Sequence, residues 1–183
     1  MADFPDKLSE LFEKKTLSTP EIIREITRIA IDYGYTIADQ DDTRPWGGFV
    51  RFGAEGGDTF VEKYFPSINP TEARLGNPEA SLSPKILYVG KNQRLSWQRH
   101  SRRAERWHFL TDGYYYRSAD PNNPGEAILA LADTEVQFDA NECHRLASHP
   151  EHPTYVAEIW QHTDPEDLSD EDDIERLQDD YHR

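Results

Sequence analysis

Between positions 98 and 105 the chain reads Gln-Arg-His-Ser-Arg-Arg-Ala-Glu, and three of these side chains can offer lone pairs to a metal ion. Gln98 and His100, two apart on an extended segment, leave the same face of a strand. Glu105 follows five positions later, far enough for a turn to set it on the neighbouring strand beside them. Glu105, Trp107 and Phe109 then alternate on one face, the expected interior of a barrel. An ionised carboxylate without a cation is costly to bury there. A fourth donor should come from a distant strand, and His144 in Cys143-His144-Arg145-Leu146 offers one at a strand start. One amide oxygen, one carboxylate and two imidazoles suit a single borderline divalent ion, Zn²⁺ first, with Mn²⁺, Fe²⁺, Co²⁺ or Ni²⁺ also compatible. No thiolate belongs to the set, whereas closed structural zinc sites usually contain cysteine, so a position open to water or a substrate oxygen is expected. Spacing alone leaves a purely structural role for these residues open, because His and Glu a few positions apart recur by chance.

Such a cluster needs strands to hold it. From residue 43 onward, short apolar-rich segments alternate with turn residues. Strands are predicted at Gly48–Phe52, Lys85–Val89, Leu95–His100, Glu105–Leu110, Tyr114–Arg117, Ala127–Ala132, Glu135–Phe138, His144–Ala147 and Tyr155–Gln161. This cadence, with Asp112-Gly113 and Asn122-Asn123-Pro124-Gly125 as punctuation, predicts an antiparallel sandwich or barrel. Ahead of it, Ser18-Thr19-Pro20-Glu21 is a helix start. Ile22, Ile23, Ile26, Ile29, Ala30 and Tyr33 recur at helical spacing up to Gly34, which can end the helix. The wide apolar face of this helix would pack on the core or on a second subunit. A shorter helix is predicted near Lys7–Lys15, residues 66–84 read as a surface excursion, and Asp170–Tyr181 as a short acidic helix with Ile174 and Leu177 on one side. The division is an N-terminal helical extension, 1–42, and a β domain, 43–183.

Thirty-five acidic against 20 basic residues give a net charge of −15, which disfavours nucleic acid and anionic membrane as partners. The acidity reads as solvated surface. The excess of 14 Arg over 6 Lys also fits a high-salt cytoplasm, which a melting temperature rising strongly in molar KCl would reveal and salt-indifferent stability would refute. Cys143 is the sole cysteine, so no intrachain disulfide forms and a reducing compartment is favoured. The first residues lack a signal-peptide pattern, and no apolar run approaches the roughly 20 residues of a membrane span, so a soluble cytoplasmic protein is expected.

The segment Leu95-Ser96-Trp97-Gln98-Arg99-His100, then Arg103-Ala104-Glu105-Arg106-Trp107, resembles the first cupin motif of type II mannose-6-phosphate (phosphomannose) isomerases. That family reads approximately leucine-serine-leucine-glutamine-x-histidine, a histidine pair, then arginine-alanine-glutamate-histidine-tryptophan. Upstream, Thr43-Arg44-Pro45-Trp46-Gly47 resembles the family's arginine/lysine-proline-tryptophan-glycine. Downstream, Ala157-Glu158-Ile159 followed by Glu171–Arg176 and Asp179–Arg183 resemble its glutamate-bearing strand and acidic C-terminal signature. The resemblance covers roughly residues 43–183 and implies a double-stranded β-helix, the cupin or jelly-roll barrel. It also implies interconversion of mannose 6-phosphate and fructose 6-phosphate with a divalent metal, and a homodimer.

There are departures. Ser101 and Arg102 replace the family's two middle histidines, Arg106 replaces the one after the glutamate, and of the second cupin motif only His144 is intact in Asp139–His144. The nucleotidyltransferase domain that often precedes this cupin does not fit into residues 1–42, so GDP-mannose synthesis by this chain alone is not expected. In the isomerase reading the phosphate needs cations, and Arg99, Arg102, Arg103 and Arg106 cluster in an otherwise acidic chain. Arg103, which matches the family motif, is expected to face substrate, with Lys91 and Arg44 as weaker candidates. The base is open among a metal-bound water, Glu158 and His108, and Glu158 can equally orient a ligand. Two other functions share the same ligand set: a metal-dependent cupin oxygenase and a non-catalytic sugar-phosphate-binding module.

Overall fold

The computed structural model describes residues 3–14 and 17–182. Two antiparallel sheets face each other. The first has six strands in the order β1-β2-β3-β10-β5-β8 and the second five in the order β11-β4-β9-β6-β7. In chain order the strands are β1 (Ile37–Arg44), β2 (Gly47–Phe52), β3 (Lys85–Val89), β4 (Trp97–Arg99), β5 (Arg103–Phe109), β6 (Gly113–Ser118), β7 (Ile128–Ala130), β8 (Glu135–Phe138), β9 (Cys143–Ser148), β10 (Thr154–His162) and β11 (Glu175–Gln178). The two-sheet jelly roll is the expected cupin architecture.

Alternation divides the six-stranded sheet between two cores. Val156 of β10 and Leu87 and Val89 of β3 point between the sheets, where they pack with Trp107, Phe109, Phe138 and Leu146. Tyr155, Ala157 and Ile159 of β10 and Ile86 and Tyr88 of β3 point the other way, onto helices. Strands buried on both faces read as continuous apolar runs, and the one carboxylate of β10, Glu158, falls on the inter-sheet face by parity.

The helices α1 (Phe4–Phe12), α2 (Thr19–Asp32), α3 (Gly57–Tyr64) and α4 (Pro70–Ala73) cover the outer face. Helix α1 opens three residues earlier than the predicted Lys7, at an Asp3–Asp6 capping box; Lys15 lies outside the described residues. Helix α2 starts where Ser18 donates its backbone N–H to Glu21 and stops at Gly34, whose φ of 86° suits a residue without a Cβ. Its Ile22, Ile23, Ile26, Ile29 and Ala30 are buried in the same cluster as Val50 and Phe52 of β2. Those five side chains are therefore covered within the chain.

Three expectations change. The segment 66–84 is more than a surface excursion: Ala73, Ala80 and Leu82 are buried, and Leu82 accepts from the Trp160 N–H. The strand β1 crosses the expected 42/43 boundary; its sequence IADQDDTR lacks strand-like alternation, and pairing with β2 creates it. The tail is a strand, β11, not a helix: Glu175 and Arg176 pair with Arg99 and Gln98 of β4. The Ile174/Leu177 spacing fits a helix turn, but a non-local ladder and an Arg99–Glu175 ion pair at 2.7 Å override it. Between β1 and β2, Trp46 drops into the inter-sheet core. A Cβ on Gly47 would lie 2.0 Å from the Tyr88 carbonyl oxygen, so that turn requires glycine.

Candidate metal centre

Gln98 on β4 pairs in register with His144 on β9, in the five-stranded sheet. His100 follows just beyond β4. Glu105 lies on β5 in the opposite sheet, not on an adjacent strand as the spacing suggested, so the cluster bridges the two layers of the sandwich. His100, Glu105 and His144 are each about 2% exposed or less, with one donor atom apiece within 4.8 Å of the others.

The hydrogen bonds around the cluster set the protonation of each ring. His144 Nδ1 contacts the Glu142 carbonyl at 2.9 Å, and His100 Nδ1 contacts the Asp173 carbonyl. A carbonyl can only accept, so both rings carry a proton on Nδ1 and turn Nε2 inward, where it serves as a lone-pair donor once a cation is present. Burial pushes His100 down to about 4, so it is neutral near pH 7. Burial alone would raise the Glu105 carboxyl, but its charged surroundings, the Arg103 guanidinium at 3.0 Å among them, hold it well below the usual range. Both inward nitrogens face an anion: His100 Nε2 lies 3.1 Å from Glu105 Oε1, and His144 Nε2 lies 3.3 Å from Glu105 Oε2. Glu105 Oε2 and His144 Nε2 have no hydrogen-bond partner among the described residues. A divalent cation between them would satisfy both, and imidazoles anchored through their other nitrogen to a carbonyl are the usual second layer of a metal site. The buried His-Glu-His group could hold a metal ion.

Gln98 stands beside it. Its Oε1 accepts from Ser96 Oγ at 2.8 Å, and its Nε2 lies 3.4 Å from His100 Nε2. Ligation by the amide oxygen requires a 180° turn of the carboxamide, which the Ser96 hydroxyl tolerates because it can accept as well as donate.

Arg103 lines the cleft and is also bound from within the protein. Its Nε and Nη2 both donate to Glu105 Oε1 at 3.0 Å, and its Nη1 reaches Ser169 Oγ and the carbonyls of Asp170 and Asp173. The guanidinium, stacked 3.8 Å from the Trp160 ring centroid, thus clamps one oxygen of Glu105 and leaves the other to the cluster. The rest of the basic group is also spoken for: Arg99 pairs with Glu175, Arg102 with Asp167 and Asp170, and Arg106 with Glu135.

A cleft of about 250 Å³ opens above the cluster, with Gln98, Arg103 and Glu105 joined in its lining by Arg44, Lys85 and Glu158. Arg44 is paired with Asp41 at 2.7 Å. Lys91 is exposed in the turn after β3 and does not line the cleft. His108 lies on the other face of its strand, against the rings of Tyr64 and Phe65. Glu158 accepts from Trp107 Nε1 at 3.0 Å and faces Lys85 Nζ at 3.5 Å. Burial, then the charge of Glu105, pushes its carboxyl up to about 7. Lys85 escaped the sequence reading, although its phase with Leu87 and Val89 marked it as inward-facing. Arg176 also lines the cleft, from β11.

The chain is a cupin-fold domain. No family model matches its sequence, and no curated protein does. Among solved structures, it resembles the capsular polysaccharide assembling protein CapF from Staphylococcus aureus at TM-score 0.50 and 13% identity, over 94% of this chain and 42% of that one. A predicted oxalate decarboxylase from Thermotoga maritima aligns at TM-score 0.46 and 10% identity, over 71% of this chain and 95% of that one. A cupin protein from Bacteroides fragilis aligns at TM-score 0.39 and 13% identity, over 44% and 64%. At such identities the likeness concerns the fold alone, and the chain spans less than half of the CapF chain it matches. No helix among the described residues is long and apolar enough to cross a membrane.

Proposed function

We propose that this domain is a metal-dependent aldose–ketose isomerase acting on a sugar phosphate, with mannose 6-phosphate and fructose 6-phosphate as the substrate pair. The observation that carries the reading is one cleft lined both by Gln98 and Glu105 of the candidate metal cluster and by a second buried carboxyl, Glu158. Isomerisation moves a proton between C2 and C1, and a base with a pKa near the working pH is best matched to it. Glu158 takes the C2 proton and returns it to C1, while Lys85 beside it offsets the negative charge. A divalent ion held by the cluster would supply Lewis-acid polarisation of the substrate oxygens, with Zn²⁺ first among the candidates. The phosphate meets Arg44 and Arg176, which both line the cleft.

The test is an anaerobic assay with mannose 6-phosphate and added Zn²⁺, Mn²⁺ or Co²⁺. Turnover is expected, and Gln98→Ala or His100→Ala should lower it about 100-fold or more, the scale on which single electrostatic groups act in catalysis. Oxygen consumption with Fe²⁺ and no isomerisation would replace this reading with an oxygenase. Micromolar sugar-phosphate binding without turnover on any metal would replace it with a binding module. A cytoplasmic location and a homodimer complete the proposal.

A further inference from the structure

The segment from Ser169 to Gln178 reaches the cluster from the far end of the chain. Its β11 portion pairs with the ligand-bearing strand β4, Arg176 opposite Gln98. Immediately before it, Asp173 is only 6% exposed, and both halves of the residue are engaged. Its carbonyl accepts from His100 Nδ1 and, at 3.1 Å, from Arg103 Nη1. Its carboxylate accepts from the backbone N–H and hydroxyl of Ser101, both at 2.9 Å, from the Arg102 N–H at 3.0 Å and from Ser169 Oγ at 2.8 Å.

Ser101 and Arg102 form the turn that separates His100 from Arg103 and Glu105. One residue therefore fixes the ring nitrogen of His100, the guanidinium that holds Glu105, and the loop between them. A single acidic residue on a solvated tail has no reason to be buried under three donors from that loop and one from its own segment unless the loop must be held in place. Burying it without those donors would be costly.

We infer that Asp173 is a positioning residue for the metal centre, and that docking of the 169–178 strap and occupation of the centre by a divalent cation are thermodynamically linked. The inference rests on the metal-binding part of the proposed function. It does not depend on which reaction the domain catalyses. Linkage is reciprocal: a strap that orients His100 raises cation affinity, and a bound cation holds the strap down by the same factor.

The test uses the full chain and Zn²⁺ as the probe, with competitive chelator titration and backbone hydrogen exchange. In the wild type, Zn²⁺ should slow exchange at Ser101, Arg102 and 174–178. Asp173→Ala should weaken Zn²⁺ binding about 10- to 100-fold, the usual consequence of removing a group that orients a ligand, and should erase the Zn²⁺-dependent protection. Asp173→Asn keeps an acceptor for Ser101 but not for both remaining donors, so its affinity should fall between the two. Asp180→Ala, which breaks the tail's ion pair with Arg94 away from the cluster, should bind Zn²⁺ like the wild type and so separates positioning from general tail docking. If Asp173→Ala fails to fold, Asp173→Asn carries the comparison. Zn²⁺ binding by the wild type that is unchanged in the Asp173 variants, or equally weakened in Asp180→Ala, overturns the inference alone. No Zn²⁺ binding by the wild type overturns it together with the metal reading.

Discussion

Replacing Glu105 with alanine is expected to abolish divalent-metal binding and to lower the melting temperature of the metal-free protein by about 10 °C. The two effects have separate causes. Metal binding is lost because Glu105 supplies the only carboxylate of the cluster and its Oε2 is the atom that faces His144 without a partner. Stability is lost because Arg103, 5% exposed, is left buried without its counter-charge. Removing one member of a buried ion pair costs about 3–5 kcal/mol, and each kcal/mol is worth roughly 2–4 °C in a chain of this size. The double variant Glu105→Leu/Arg103→Met tests the division. Exchanging a whole buried pair for apolar side chains is often near neutral, so it should recover most of the melting temperature and none of the metal affinity. A single variant that melts like the wild type would show that the Arg103 clamp contributes little. One that still binds Zn²⁺ tightly would remove Glu105 from the centre.

Glu158→Gln carries the second large effect, about a 10²- to 10⁴-fold loss of turnover, the range attributable to a general base, with metal affinity retained. The same carboxyl writes itself into the pH dependence of stability. In the metal-free protein it is raised from 4.5 to about 7, so between those values the folded state holds a proton that the unfolded chain has released. Stability on this account is fully present below about pH 4.5 and falls as pH rises toward 7, by roughly 3 kcal/mol at about 1.4 kcal/mol per unit. His100, lowered to about 4, acts in the opposite sense over much of the same range. The quantity to measure is therefore the wild-type stability profile minus that of Glu158→Gln, in which the His100 contribution cancels. The difference should decline from pH 4.5 to 7; a flat difference would show that Glu158 titrates normally. A cation bound beside Glu105 reverses the local charge and lowers the Glu158 carboxyl. Metal loading at pH 6 should therefore release a proton that the Gln variant does not release.

These expectations come from residues of unequal legibility. Gln98, His100, Glu105 and His144 were nameable from strand parity and ligand chemistry, because both are local properties. Glu158 stands out as the one carboxylate of β10, but that strand is buried on both faces, and only the packing shows that Glu158 shares a face with Val156. The misreadings have a common physical origin in long-range partners. IADQDDTR is a poor strand by composition and becomes one as the edge partner of β2. The acidic tail has helical spacing and becomes a strand because β4 offers a free edge. The arginine cluster looked like a phosphate site because the carboxylates that neutralise Arg99 and Arg102 lie more than 60 positions away in the chain.

The sequence by itself determined the antiparallel β class and the helix α2 with its caps, and it named Gln98, His100, Glu105 and His144 as candidates, since each rests on spacing, parity or the chemistry of single residues. The tertiary structure alone decided that the cluster spans opposite sheets, that Arg103 clamps Glu105, that Lys85 faces Glu158, and that Asp173 reaches back to His100. Each of those is a contact across the sandwich or from the chain's far end. Its energy depends on burial and on partners that no local pattern encodes.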